Sequence, residues 1–115
     1  KDPMNKRRAF HKGVDLAGWH KTEIFAPADA TVRRAGRNGG YGNFIELEHK
    51  NGVVTRFGHL NKINVKKGQV IAKHDVIGLM GSTGRSTSTH LHYEVLIDDK
   101  HVNPLKITKA LSRVW

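Results

Sequence analysis

The segment STHLHYEVLI, residues 88–97, constrains the fold of this chain more than any other part of the sequence. Its apolar residues alternate with polar ones, and on a β-strand successive side chains point to opposite faces. His90, His92 and Glu94 therefore share one face of the predicted strand, and the intervening apolar residues share the other. A strand of this kind lies over a hydrophobic core with one face and presents imidazole and carboxylate groups with the other.

Short alternating segments separated by turn residues run through most of the remaining sequence. Asn51-Gly52 stands between two such segments, residues 43–49 and 53–59, and predicts a tight β-hairpin. Residues 68–72 and 75–81 predict two further short strands. The last twelve residues, 104–115, predict one short helix that begins near a proline. We therefore expect an all-β fold, an antiparallel sheet or sandwich with long loops and a short C-terminal helix.

The length of 115 residues suits one domain, so residues 1–115 are interpreted as a single domain. The chain begins abruptly with KDPMNKRR, without the apolar segment of a signal peptide. We expect it to be a domain excised from the C-terminal part of a longer protein.

The absence of cysteine and the excess of positive charge limit the chemistry. Without a thiolate, any metal must be held by His, Asp or Glu. A formal charge of +10 favours a polyanionic partner, which could be nucleic acid, an anionic membrane surface or an anionic wall polymer. A nucleic-acid binder is disfavoured because aromatic residues make up only 7% of the chain and no recognised motif is present.

Eight histidines in such a short chain need individual interpretation. His20, His49, His74 and His101 belong to no group with ligand spacing, and we interpret them as surface residues or hydrogen-bonded core residues.

Three of the other four histidines form groups that suit a metal. His90 and His92 aim two imidazoles into the same space. His11 and Asp15, in HKGVD, add a nitrogen and a carboxylate oxygen, and a tight turn at Gly13 would let them converge. Three histidines and an aspartate suit zinc, and a catalytic zinc site uses three protein ligands, so one candidate is spare.

His59, in RFGHL, is a fifth candidate for the same site. An imidazole that does not bind the metal would be free for proton transfer or for stabilising a transition state.

These motifs resemble those of the lysostaphin/LytM-type zinc endopeptidases. HKGVD looks like the H-x-G-x-D motif of that family, RFGHL resembles the segment with an isolated catalytic histidine, and GSTGRSTSTHLHYE is similar to the G-x-T-G-x-S-T-G-x-H-L-H-F/Y-E signature. The resemblance covers about residues 2–104 with all motifs in order. One departure is visible: Ser88 replaces the glycine that commonly follows Ser-Thr in the family.

The resemblance implies a role for each candidate. His11, Asp15 and His92 would be the ligands of one zinc ion per domain, and His59 and His90 the catalytic pair beside it. The family fold implies a narrow groove with walls made by loops. Which of His59 and His90 is the general base stays open, because the sequence does not give their distances to the attacking water.

Four further residues have weaker interpretations. Glu94 either orients an imidazole or is an ordinary strand carboxylate, and we favour the ordinary interpretation. Tyr41, Asn43 and Thr55 are candidates for contact with substrate in the groove, although Gly-Tyr-Gly-Asn is equally typical of a turn.

The resemblance also implies a function: hydrolysis of peptide cross-links or stem peptides of bacterial peptidoglycan. The favoured bond is the D,D bond between D-alanine and diaminopimelate, cut by a monomer in the cell envelope, most simply the periplasm. The alternative is a non-catalytic or autoinhibited envelope module that binds peptidoglycan or activates another wall hydrolase. In the non-catalytic modules a metal ligand or catalytic histidine is missing, whereas all five candidates are present here, and an autoinhibited module would keep an intact site.

Overall fold

The computed structural model describes residues 13–82 and 89–103, which form ten β-strands and one turn of 3₁₀ helix at Gly39–Tyr41. No helix among these residues is long and apolar enough to span a membrane. The strands are β1 (Gly13–Ala17), β2 (Glu23–Phe25), β3 (Ala30–Arg37), β4 (Asn43–Glu48), β5 (Val53–Gly58), β6 (Leu60–Ile63), β7 (Val70–Ile71), β8 (Val76–Met80), β9 (His90–Ile97) and β10 (Lys100–Val102).

The strands form two antiparallel sheets. The larger sheet has the order β1-β9-β5-β4-β3-β7, with β10 also paired to β9, and the smaller sheet has the order β2-β8-β6. The predicted hairpin is confirmed as β4 and β5. At its turn Asn51 and Gly52 have φ values of 61° and 74°, the positive angles that a two-residue turn of this kind requires.

The hydrophobic core lies between the two sheets, which confirms the predicted all-β sandwich. Ile45, Leu47 and Phe57 of the larger sheet pack in one cluster with Leu60 and Ile77 of the smaller one. All five side chains are at most 2% exposed. Burial of this apolar surface is the main free-energy term that joins the sheets.

The predicted two-faced strand is β9, which lies inside the larger sheet. Its Leu91 and Val95 are buried with the core, as the alternation predicts. On its other face, His92 stands opposite Asp15 of β1 and Gly58 of β5. The sheet therefore places the two motifs HKGVD and HLHYE side by side.

Gly13 does not make the tight turn expected from the sequence. It lies in β1 opposite Glu94 of β9, where a Cβ would overlap the Tyr93 carbonyl oxygen and the Glu94 side chain. Glycine is needed here because the two backbones approach closely.

The sequence interpretation also missed β10. Asp98 and Asp99 have φ values of 51° and 67° and form a two-residue turn without glycine, which brings His101 back opposite Leu96. Aspartate tolerates this left-handed conformation better than most residues do. The helix predicted for residues 104–115 lies outside the described residues.

His49 is a hydrogen-bonded core residue, as the sequence interpretation proposed. It is 5% exposed, and its Nδ1 lies 3.0 Å from the Asp29 carbonyl oxygen and its Nε2 lies 2.8 Å from Thr55 Oγ1. The carbonyl accepts only, so Nδ1 carries the proton and the Thr55 hydroxyl donates to Nε2. Burial lowers the pKa of His49, against the opposing effect of the Asp29 carbonyl, and favours the neutral ring.

We predict that His49 makes the fold less stable in mild acid. Below pH ~6.5 the unfolded chain protonates this residue, while the folded chain resists until a lower pH, so the free energy of unfolding decreases as pH falls. The slope due to this one proton is at most about 1.4 kcal/mol per pH unit.

Urea unfolding between about pH 8 and about pH 5 of the wild type and of His49→Gln measures this effect. The wild type should lose more stability across the range than His49→Gln does. His20→Gln, a change at an exposed histidine, is the matched control and should behave like the wild type. Parallel curves for the wild type and His49→Gln would contradict the assignment.

Candidate active site

The polar face of the larger sheet gathers four of the five predicted site residues. His90 and His92 lie on β9, Asp15 lies on the neighbouring β1, and His59 directly follows β5 on the other side. The fifth residue, His11, lies outside the described residues.

His92 is held between two carboxylates. Its Nδ1 lies 2.8 Å from Asp15 Oδ1, and its Nε2 lies 2.8 Å from Glu94 Oε2. Burial acts to lower the pKa of His92, but hydrogen bonds with Glu94 and Asp15 outweigh it and raise the pKa above its usual value. Two carboxylate oxygens around one ring favour a positive charge, either a proton on the ring or a cation beside it.

Glu94 accepts more hydrogen bonds than any other described side chain of the site. It is fully buried, and its Oε2 accepts from Tyr41 Oη at 2.8 Å as well as from His92. Its Oε1 accepts from Arg56 Nη1 at 3.2 Å and from His101 Nε2 at 3.0 Å. Burial by itself would raise the pKa of Glu94, but the bonds from His92, Tyr41 and His101 lower the pKa to about 2. The carboxylate is therefore charged at neutral pH.

His59 adopts an unusual backbone conformation beside this cluster. Its φ is 64°, in the left-handed region, and its backbone N–H donates to the Tyr41 carbonyl at 2.6 Å. The His59 ring centroid is 5.0 Å from that of His90 and 5.9 Å from that of His92. The single-residue bend between β5 and β6 thus turns the imidazole toward the pair on β9.

His90 lies at the entrance to β9. Its backbone N–H donates to the Gly81 carbonyl at 3.2 Å, which connects the start of β9 to the end of β8 in the smaller sheet. Its Nε2 is 3.6 Å from Asp15 Oδ1, and its side chain is 17% exposed. This distance is too long for a hydrogen bond, so the ring is close to the cluster while part of it remains accessible.

The three predicted substrate contacts have different surroundings. Thr55 is fully buried on the core face and bonded to His49, so its hydroxyl does not line the polar face, contrary to the predicted substrate contact. Asn43 is partly buried, and its Nδ2 donates to the Leu60 carbonyl at 2.9 Å, which fixes β6 against β4. Tyr41 lies within the site, and its hydroxyl is engaged by Glu94. Burial, followed by that bond, raises the pKa of Tyr41 to about 12.

Two participants were missed by the sequence interpretation. Arg56 stands opposite Glu94 in the β5–β9 register and also donates to Glu46 Oε1 at 3.1 Å. The alternation in VVTRFG places Arg56 on the polar face and was a usable signal. His101 reaches Glu94 only because β10 folds back on β9, which the aspartate pair indicates far more weakly than an Asn-Gly turn would.

The donor set suits a zinc ion. Zinc bonds to nitrogen and oxygen are about 2.0–2.2 Å long, so two ligands at a tetrahedral angle lie roughly 3.3 Å apart. Asp15 Oδ1 and His92 Nδ1 are 2.8 Å apart, a hydrogen-bond distance that is about 0.5 Å shorter than this spacing, so the two atoms would move apart slightly to bind zinc. Among residues 13–82 and 89–103 no group of three or more His, Asp or Glu side chains is arranged as a complete metal site. The described residues supply two of the three ligands that the resemblance implies.

We predict that the left-handed backbone of His59 costs stability. A residue with a Cβ in this region costs about 1–2 kcal/mol, and glycine does not bear that cost. The free energy of unfolding of His59→Gly should therefore be about 1 kcal/mol higher than that of His59→Ala, although both variants lack the imidazole. Chemical denaturation of the two variants measures the difference, and a less stable glycine variant would contradict the conformation.

Comparison with known proteins places this site in a family. The model of peptidase family M23 matches residues 9–104, a range that includes all five predicted site residues. The chain is 40% identical over 104 residues to the peptidoglycan DD-endopeptidase ShyA of Vibrio cholerae, which covers 90% of this chain and 24% of that protein. The chain thus spans about a quarter of the length of this curated relative.

Two solved structures have the same fold. The catalytic domain of lysostaphin from Staphylococcus simulans aligns with a TM-score of 0.79 and 32% identity, over 86% of this chain and 79% of that one. A zinc-containing peptidase from Vibrio cholerae aligns with a TM-score of 0.77 and 37% identity, over 89% of this chain and 32% of that one. The chain therefore belongs to peptidase family M23, and the resemblance to the lysostaphin-type endopeptidases is confirmed.

Proposed function

We propose that this chain is a zinc-dependent endopeptidase that hydrolyses peptide cross-links of bacterial peptidoglycan. Membership of family M23, the similarity to a zinc-containing peptidase and the similarity to a peptidoglycan DD-endopeptidase support the proposal. The bond we favour is the D,D bond between D-alanine and diaminopimelate. The site of action is the cell envelope, most simply the periplasm.

The observation that carries the proposal is the contact between His92 Nδ1 and Asp15 Oδ1 at 2.8 Å. Glu94 accepts a hydrogen bond from Nε2 of the same ring. A neutral His92 would therefore have its lone pair on Nδ1, pointing toward the Asp15 carboxylate. Two acceptors at this distance repel each other unless a proton or a cation lies between them. This half-buried imidazole and carboxylate therefore hold a positive charge between them, and we propose that zinc supplies it in the active protein.

We assign His11, Asp15 and His92 as the ligands of one zinc ion. When bound at such a site, zinc supplies Lewis acidity and lowers the pKa of a bound water toward ~7.

His59 and His90 are proposed to move the protons of the reaction. One imidazole accepts a proton from the attacking water as its oxygen bonds to the scissile carbonyl carbon. The other donates a hydrogen bond to the carbonyl oxygen, where negative charge develops. When the C–N bond breaks, the first imidazole returns the proton to the leaving amine. The 5.0 Å between the two ring centroids lets both contact one peptide group.

Charge supports a location at the envelope. The net charge of +10 would favour residence on anionic wall polymers or membrane surfaces, where the substrate lies. Electrostatic attraction of this kind needs no specific contact, so we propose no specific nucleic-acid partner. We also propose that the chain acts as a monomer.

The alternative function is a module that binds peptidoglycan without cutting it, or that activates another wall hydrolase. A non-catalytic module of this kind would have an incomplete histidine pair or ligand set, whereas an autoinhibited module would keep both. The intact sequence motifs and the approach of His59 to His90 favour catalysis.

We predict that the zinc-loaded chain digests purified peptidoglycan sacculi and reduces their cross-linked dimers. His92→Ala and chelation should abolish digestion, because the metal is lost. His90→Ala and His59→Ala should each lower the rate by roughly 10²- to 10⁴-fold, the range for a lost general acid or base. Mass spectrometry of the released peptides identifies the bond.

His74→Ala is the matched control, because His74 is exposed and stands between β7 and β8. It should digest at the wild-type rate. Binding of the wild type to sacculi with bound zinc but without loss of dimers would overturn the enzymatic proposal in favour of the binding module. Loss of uncross-linked pentapeptides alone would replace the endopeptidase by a carboxypeptidase.

A further inference from the structure

We infer that Glu94 is the positioning residue of the metal site: it fixes the tautomer and orientation of His92 so that Nδ1 faces Asp15. Arg56 and His101 hold Glu94 in place from its other oxygen. This inference rests on the proposed zinc site and adds the part of the chain that prepares one ligand for the metal.

The two oxygens of Glu94 have separate partners. Oε2 faces the site and accepts from His92 and Tyr41, each at 2.8 Å. Oε1 faces away from His92 and accepts from Arg56 at 3.2 Å and His101 at 3.0 Å. The Glu94 carboxylate thus connects the His92 ring to Arg56 and His101.

A carboxylate oxygen only accepts hydrogen bonds, and this fixes what the Glu94 side of His92 does. The proton must be on Nε2, the nitrogen that faces Glu94. Nδ1 faces the Asp15 carboxylate at 2.8 Å, so it carries a proton as well unless a cation lies there, and a bound cation would leave the ring neutral with its lone pair on Nδ1. A histidine ligand of a metal commonly donates its second N–H to a carboxylate, which fixes the ring and increases its basicity.

Packing leaves Glu94 little freedom to move. Its side chain is fully buried, and opposite it β1 carries Gly13, where any Cβ would overlap Glu94. The two motifs are therefore linked by shape as well as by sequence order: the glycine of HKGVD makes room for the glutamate of HLHYE. An ordinary exposed strand carboxylate would need neither the space nor four donors.

The positive charge that balances Glu94 belongs to a row of charged side chains across the sheet. Arg56 donates both to Glu94 and to Glu46, and Arg33 lies 3.1 Å from Glu46 Oε2. Glu46 is buried, at 2% exposure against 0% for Glu94, and it shares Arg56, but no bond joins it to His92. Glu46 and Glu94 are therefore a matched pair: both carboxylates bind Arg56, but only Glu94 contacts His92.

The test measures zinc affinity by competition with a chromophoric chelator. In Glu94→Gln, the amide oxygen should turn toward Arg56 and His101, since its bond to a guanidinium is charge-assisted. The amide N–H then faces His92, which favours the tautomer with the proton on Nδ1 and blocks the metal. We expect affinity for zinc to fall about 10- to 100-fold, as for other lost carboxylate partners of ligating histidines.

Two further variants separate orientation from charge and folding. Glu94→Asp keeps the charge but shortens the side chain by one methylene, so it should bind Arg56 and fail to hold His92, with an affinity loss of at least about 10-fold. Glu46→Gln removes a buried charge beside Arg56. Its affinity for zinc should lie within about 3-fold of that of the wild type. This change is much smaller than the loss expected when a carboxylate that supports a ligand is removed.

Nitrogen-15 NMR of the histidine rings gives a readout that a merely structural role would not change. The zinc-loaded wild type and Glu46→Gln should retain a slowly exchanging proton on His92 Nε2, and Glu94→Gln should lose it. If both Glu94 variants bind zinc as tightly as Glu46→Gln does, the inference is overturned while the proposed enzyme stands. If the wild type binds no zinc, the proposed function fails and the inference fails with it.

Discussion

The difference between the two faces of β9 is the constraint on which the rest of the structure depends. One face contributes Leu91 and Val95 to apolar clusters, and the other carries His92 and Glu94. Because the period of a strand is two residues, a shift of one position would bury the imidazoles and expose the core residues. The free energy of core burial therefore also fixes the register of the site.

The site is organised by a buried negative charge. Glu94 gathers donors from four different segments of the sheet and its connections, and the network holds its pKa at about 2. Burying a carboxylate is costly unless it is paired and hydrogen-bonded, and every buried side-chain nitrogen and oxygen in the described part of the chain has a partner. The cost of the buried charge is thus offset by bonds that also fix the groups around His92.

The sequence predicted those parts of the protein that depend on local periodicity. The β4–β5 hairpin follows from Asn51-Gly52, whose backbone angles suit a tight turn, and the shared face of His90 and His92 follows from strand geometry. The alternation in VVTRFG also places Thr55 on the core face, opposite to Arg56, but it does not show that the hydroxyl would bond to His49. Nor did the sequence predict the second hairpin, because Asp98-Asp99 is a weaker turn signal than a pair with glycine.

The sequence by itself determined the chemistry: which residues bear imidazole and carboxylate groups, the absence of thiolates, and the motifs that place the chain in family M23. Only the tertiary structure decided which groups meet. Asp15 and His92 are 77 residues apart and touch through the β1–β9 register, and Arg56 reaches Glu94 across β5 and β9. Such contacts arise from the pairing of strands distant in sequence, and local propensity carries no information about that pairing. The same holds for the left-handed bend at His59, which the surrounding strands impose on a residue that would avoid it alone.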